Sequence, residues 1–161
     1  MQLRSAFAAL ALLVTIPFSA FATSHTIADA KVTFDAPDSW KVQKDDAMTA
    51  VGNVADDAGV VILTLAADNI EKGLEAASAE LEKLVKDPQP AGEPSEAPIG
   101  GMKAMLASAT AKVEGEAVKV DLLVLEAKSG KFLIGIGITK TSSKDAGESL
   151  KLLKSFKAAG K

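Results

Sequence analysis

Between residues 103 and 140 the chain holds three strand-length stretches, 103–113, 117–127 and 131–140, separated by three-residue breaks that contain Glu114-Gly115 and Ser129-Gly130. Breaks this short, with a glycine to accept positive φ, can only turn the chain back on itself, so the three stretches form an antiparallel meander. In the third stretch Phe132, Ile134, Ile136 and Ile138 fall on one face and Leu133, Gly135 and Gly137 on the other. The first set asks for deep burial. The glycines ask for a packed element that approaches the backbone closely.

The uncharged run Val60-Val-Ile-Leu-Thr-Leu65 and the run 122–125 are apolar on both sides, and so require a sheet covered on both faces. Two amphipathic segments are available as covers. From Asp68 to Lys86 the period changes to a helical one, with Ile70, Leu74, Ala77, Leu81, Leu84 and Val85 on one stripe. Asp68 reads as its N-cap with Glu71 as box partner, and Gly73 is a weak point inside it. Ser142-Ser-Lys-Asp145 reads as a second capping signal, before a helix carrying Ala146, Leu150, Leu153 and Phe156. Upstream, 31–34, 40–42 and 48–54 alternate as strands between charged turns, and 23–29 reads as a polar lead-in. The expected fold is α+β: a largely antiparallel sheet of about six strands with a helix on each face, an α/β/α sandwich. A two-layer fold that buries its second face in a homodimer is the competing arrangement.

Residues 87–101 contain Pro88, Pro90, Pro94 and Pro98 with Gly92, Gly100 and Gly101, a composition that neither continues a helix nor joins a central strand. The segment is expected to be a flexible surface loop crossing one edge of a single domain, residues 23–161.

The N-terminus reads as a cleavable signal peptide over residues 1–22: Arg4, an apolar run from Ala6 to Phe18, and the small-x-small pattern Ala20-Phe21-Ala22. The run is shorter than the roughly 20 residues that span a bilayer, and no cysteine follows for a lipid anchor. A periplasmic or secreted location follows as the expectation, with no membrane span after processing. Removal of the leader takes Arg4 and leaves 17 of the 18 basic residues, all lysine, against 21 acids. The negative sign and the lack of guanidinium groups argue against nucleic-acid binding.

The chain has no cysteine and no tyrosine, and His25 is its only histidine, so thiol nucleophiles and thiolate metal sites are excluded and few catalytic groups are left. Ser142 and Ser143 have no base to activate them. A carboxylate-only hydrolase stays open because acids are plentiful, but Trp40, Phe34, Phe132 and Phe156 are the only aromatic rings beyond the leader except that of His25, few for a sugar site. Asp45, Asp46, Asp56 and Asp57 flank one strand pair and would offer oxygen ligands to a hard cation if they met at one end; otherwise they are solvated turn charges. His25 with a new α-amino group would be a second metal candidate, on a tail of the kind that is commonly disordered. Trp40 would stack on a ligand or cap the core. Met102 and Met105 would line an apolar pocket under the 87–101 loop or fill gaps in the core. Lys103, Lys112, Lys119 and Lys140 would form a basic strip or protect the sheet surface. No cofactor is expected.

The opening Phe34-x-x-Pro37-x-x-Trp40, the order of elements and the closing Leu152-Leu-Lys-Ser-Phe156 resemble the PsbP-like α/β/α sandwich superfamily. The resemblance implies the sandwich fold. The superfamily spans extrinsic photosystem subunits, a nuclear import factor that binds a small GTPase and bacterial exported proteins of unknown role, so it implies no single activity. The functional expectation is a non-catalytic exported domain that binds another envelope or secreted protein through a sheet edge or the 87–101 segment. A carrier of a small apolar ligand near Trp40, Met102 and Met105 is the alternative.

Overall fold

The computed structural model describes Ala22–Gly160; of the leader reading, residues 1–22, all but Ala22 lie outside the described residues, as does Lys161. Eleven strands and two helices follow in the order β1 (Ala22–Ile27), β2 (Val32–Pro37), β3 (Lys41–Lys44), β4 (Met48–Gly52), β5 (Ala58–Leu65), α1 (Ile70–Leu84), β6 (Lys86–Pro90), β7 (Ser95–Glu96), β8 (Lys103–Val113), β9 (Glu116–Glu126), β10 (Phe132–Lys140), α2 (Glu148–Lys154) and β11 (Lys157–Ala158).

The meander is present in the expected register. β8, β9 and β10 pair antiparallel, with Val113 opposite Glu116 across the Glu114-Gly115 turn, where both residues hold positive φ, 51° and 86°. That pair of left-handed residues matches the twist of the strands it joins. The strands extend into an eight-stranded antiparallel sheet of order β3-β4-β5-β10-β9-β8-β6, with β7 also on β8.

Three expectations need correction. The sheet has eight strands rather than about six, because the Pro-rich 87–101 segment is not wholly a loop: β6 and β7 pair with the outer side of β8. Proline is tolerated there because an edge strand has free N–H positions. The 23–29 lead-in is strand β1, which pairs with β2 from Ala22↔Pro37 to Ile27↔Val32, and β11 pairs with the other side of β2. The second face is therefore covered by α2 together with this separate three-stranded sheet, not by a helix alone.

Each face has its own core. Toward α1, Ile70, Ala77 and Leu81 pack on Val120, Leu122, Val124, Phe132, Ile134 and Ile136. Toward α2, Leu152, Leu153 and Phe156 pack with Phe34, Trp40, Leu123, Leu125 and Leu133. The rings of Phe34 and Phe156, the two ends of the signature quoted above, lie 5.7 Å apart. Burying each such side chain contributes about 1.5–3 kcal/mol.

Both helix starts differ from the sequence expectation. Asn69, not Asp68, caps α1 by accepting from the Lys72 N–H, while Asp68 pairs with the Lys72 ammonium at 2.6 Å. α2 begins after Gly147 at φ 90° with no side-chain cap, and its buried stripe is Ser149, Leu152 and Leu153, with Ala146 exposed. Gly73 is not a weak point: a Cβ there would meet Val124 Cγ1 at 2.6 Å, so the missing side chain lets α1 lie close on the sheet. In β10 the expectation holds, since a Cβ on Gly135 would run into Leu153 Cδ2 and one on Gly137 would lie 3.0 Å from Ser149 Cβ.

Candidate functional site

Along the free side of α1 the Pro-rich segment is a strap held to β8 at both ends. Val85 closes the helix, its N–H donating to the Leu81 carbonyl, and Asp87 turns the chain at φ 51°. β6 then runs along β8 with a register irregularity between Lys86 and Gln89, reaching Pro90↔Ala109. The Ala91 N–H donates to Ser108 O, and the chain rejoins β8 at Ser95↔Leu106. Between these ties Gly92, at φ 115°, lets residues 91–94 bow outward.

The bow leaves a groove of about 280 Å³ between helix and strap. Leu74, Ser78, Leu81 and Glu82 form the helix wall, and Pro88, Pro90, Gly92 and Pro94 the strap wall. The floor is Ala107, Ala109 and Leu122. Alanines make the depth: branched side chains at 107 and 109, between strap and helix, would fill it. The lining is apolar with few convergent polar groups, the character of a binding site. By contrast, the cleft between the β1–β2 turn and the β3–β4 hairpin is lined by Asp29, Lys44, Asp45 and Asp46 and is crossed by the Lys44 Nζ to Thr26 O bond of 3.0 Å.

The residues singled out from sequence do not gather there. Trp40 is buried in the α2-side core with Met102, which is 2 % exposed and closes a small turn with Ile99. Met105 lies on the opposite face, against the α1-side core, so the sheet separates the two methionines and no shared pocket forms beneath the strap. Asp45 and Asp46 precede β4 while Asp56 and Asp57 follow it, which places the pairs at opposite ends of one strand and not at one cation site. Among the described residues no group of three or more histidine, cysteine or acidic side chains is arranged to hold a metal ion. His25 sits in β1 with its ring stacked on Phe34 at 5.4 Å. Lys119 pairs with the buried Asp121 at 3.3 Å, and Lys140 pairs with Glu116.

Asp57 has a different role. It accepts from Asn53 Nδ2 at 2.6 Å and from Ser143 Oγ at 2.7 Å, and the same Asn53 amide reaches Asp145 Oδ2 at 2.7 Å. These bonds, from Asn53 first and Ser143 second, with Lys140 nearby, hold the Asp57 carboxyl below its ordinary range. The cluster staples the β4–β5 turn to the segment entering α2. Sequence reasoning missed Asn53, whose only local signal was a position four residues before Asp57, where its Oδ1 accepts the Asp57 N–H.

No protein-family model matches the chain, and no curated protein matches it. Solved structures do. Cyanobacterial PsbP (CyanoP) from Synechocystis sp. PCC 6803 is 11% identical, with a TM-score of 0.64 over 86% of this chain and 93% of its own. LpqN of Mycobacterium tuberculosis, involved in cell envelope biogenesis, is 17% identical, with a TM-score of 0.58 over 85% and 90%. The Saccharomyces cerevisiae Ran-binding protein Mog1p is 7% identical, with a TM-score of 0.59 over 88% and 97%. The chain therefore has the PsbP-like fold, as the Phe34, Pro37, Trp40 and Phe156 pattern implied.

Proposed function

We propose that this chain is an exported, non-catalytic binding domain that engages another envelope or secreted protein through the groove between α1 and the Pro-rich strap. The observation that carries the reading is the open apolar groove itself, walled by prolines and floored by alanines. Export rests on the leader pattern; among the described residues no helix is long and apolar enough to cross a membrane. Relatives in fold that are described as Ran-binding and as involved in envelope biogenesis accord with a binding or accessory role without supplying its specifics. Asp57 and Asp145, which share the Asn53 amide, are engaged by Asn53 and Ser143 at the staple, away from the groove.

A carrier of a small apolar ligand in the same groove is the second reading, favoured by the lack of charge on its floor. Photo-crosslinking in the host envelope fraction separates the two. A benzophenone at Ser78, on the groove wall, is expected to yield one discrete protein adduct, and the same group at Lys151 on the far side none. A small bound mass released from the purified chain, with no protein adduct, would favour the carrier. Equal labelling from both positions would overturn the docking site.

A further inference from the structure

The groove has one charged border. An α-helix turns about 100° per residue, so positions 71, 75, 78 and 82 fall within about 60° of arc. Ser78 and Glu82 line the groove, which sets Glu71 and Glu75 on the same flank of α1. All three glutamates are exposed, and none forms an ion pair among the described residues, whereas Glu80, on another side of the helix, is held by Lys83 at 2.6 Å. On the strap, exposed Glu96 pairs with Met105 of the α1-side face, while Glu93 turns the other way, into a cleft it shares with Lys154. The cations Lys86 and Lys112 face each other at the far end, past the C-terminus of α1.

Resting on the docking reading above, we infer that the occupant is a segment of a partner protein that presents an apolar anchor flanked by lysine or arginine. The anchor fills the space over Ala107 and Ala109, and the flanking cations meet Glu71, Glu75 and Glu82. Unpaired like charges along one helix flank repel one another, and an oppositely charged partner relieves that repulsion while steering association. An uncharged ligand or an acidic segment would leave the glutamates uncompensated.

Two synthetic peptides test this by fluorescence anisotropy, sharing the anchor Leu-Leu-x-x-Phe and differing only in four flanking lysines or four flanking glutamates. The lysine peptide is expected to bind at least about tenfold more tightly, and to weaken several-fold between about 50 and about 300 mM salt. The triple variant E71Q/E75Q/E82Q removes most of that preference while leaving the circular dichroism unchanged. Ala107→Leu, which fills the floor, and Ser78→Trp, which fills the groove from an exposed position, each abolish binding of the lysine peptide. If both peptides bind alike and Ser78→Trp still blocks them, the charge inference falls and the groove stands as an apolar site. Binding by neither peptide, or binding indifferent to both filling variants, overturns the inference and the docking reading together. Self-association lost in Ser78→Trp overturns the inference in favour of a second copy.

Discussion

The two faces of the sheet solve the same problem in opposite ways. Toward α1 the helix supplies the space: Gly73 lies against Val124, and the sheet keeps its large residues. Toward α2 the sheet supplies it: Gly135 and Gly137 receive Leu153 and Ser149, and the helix keeps its large residues. The α2 face is also tied by polar bonds, with Ser149 Oγ within 3.0 Å of Thr139 Oγ1, Ser155 Oγ accepting the Asp35 N–H and the Asn53 cluster at one end. At the margin of the α1 face lies the groove, whose lining is mostly apolar.

Breaking the α2 face should have the largest effect. Leu153→Ala removes a fully buried side chain that fits the Gly135 recess, and is expected to lower unfolding free energy by about 3–4 kcal/mol in urea titration. Gly135→Val adds three carbons, the first of which already meets the same leucine, and should cost about 2–3 kcal/mol. Combining it with Leu153→Ala should cost clearly less than the sum, because each change relieves the other. If the two costs simply add, Gly135 is not shaped around Leu153.

On the α1 face Gly73→Ala tests the reversed arrangement. Alanine favours the helix by about 1 kcal/mol, yet the 2.6 Å approach to Val124 should turn the change into a net loss of about 1 kcal/mol. In a Val124→Ala background the sign should reverse. A stabilising Gly73→Ala in the native background would mean that α1 does not lie this close.

A smaller effect concerns acid. The folded Asp57 carboxyl sits below its ordinary value, so its stabilisation is fully present above the unfolded value of about 3.9 and is lost as pH falls below that. Stability measured between about pH 5 and about pH 2.5 should therefore fall less steeply in Asp57→Asn than in the native chain. An identical slope would remove Asp57 from the acid response. Smallest of all, Ala107→Leu should leave stability within about 1 kcal/mol of the native value, since the added atoms enter an open groove and not a packed core.

Much of the fold was legible from local spacing. The meander followed from strand length and turn glycines, α1 from its apolar period, and the α2 recess from Gly135 and Gly137 alternating with isoleucines. These depend on neighbours within a few residues, where side-chain direction is set by the backbone period. The site was less legible. Trp40, Met102 and Met105 were weighed as pocket residues or as core; Trp40 and Met102 are buried in the α2-side core, while Met105, three residues further along the same stretch, packs against the other.

What the sequence determined by itself is therefore the set of elements, the meander and the demand for cover on both faces. The tertiary structure decided the rest: that β2 leaves the main sheet to pair with β1 and β11, that Ser143 serves Asp57 from 86 residues away instead of capping a helix, and that the strap rejoins β8 on both sides of a bow. The physical reason is the same in each case. A hydrogen bond or an apolar contact does not depend on how far apart in the chain its partners lie, whereas a local pattern can report only on partners within the same turn or strand.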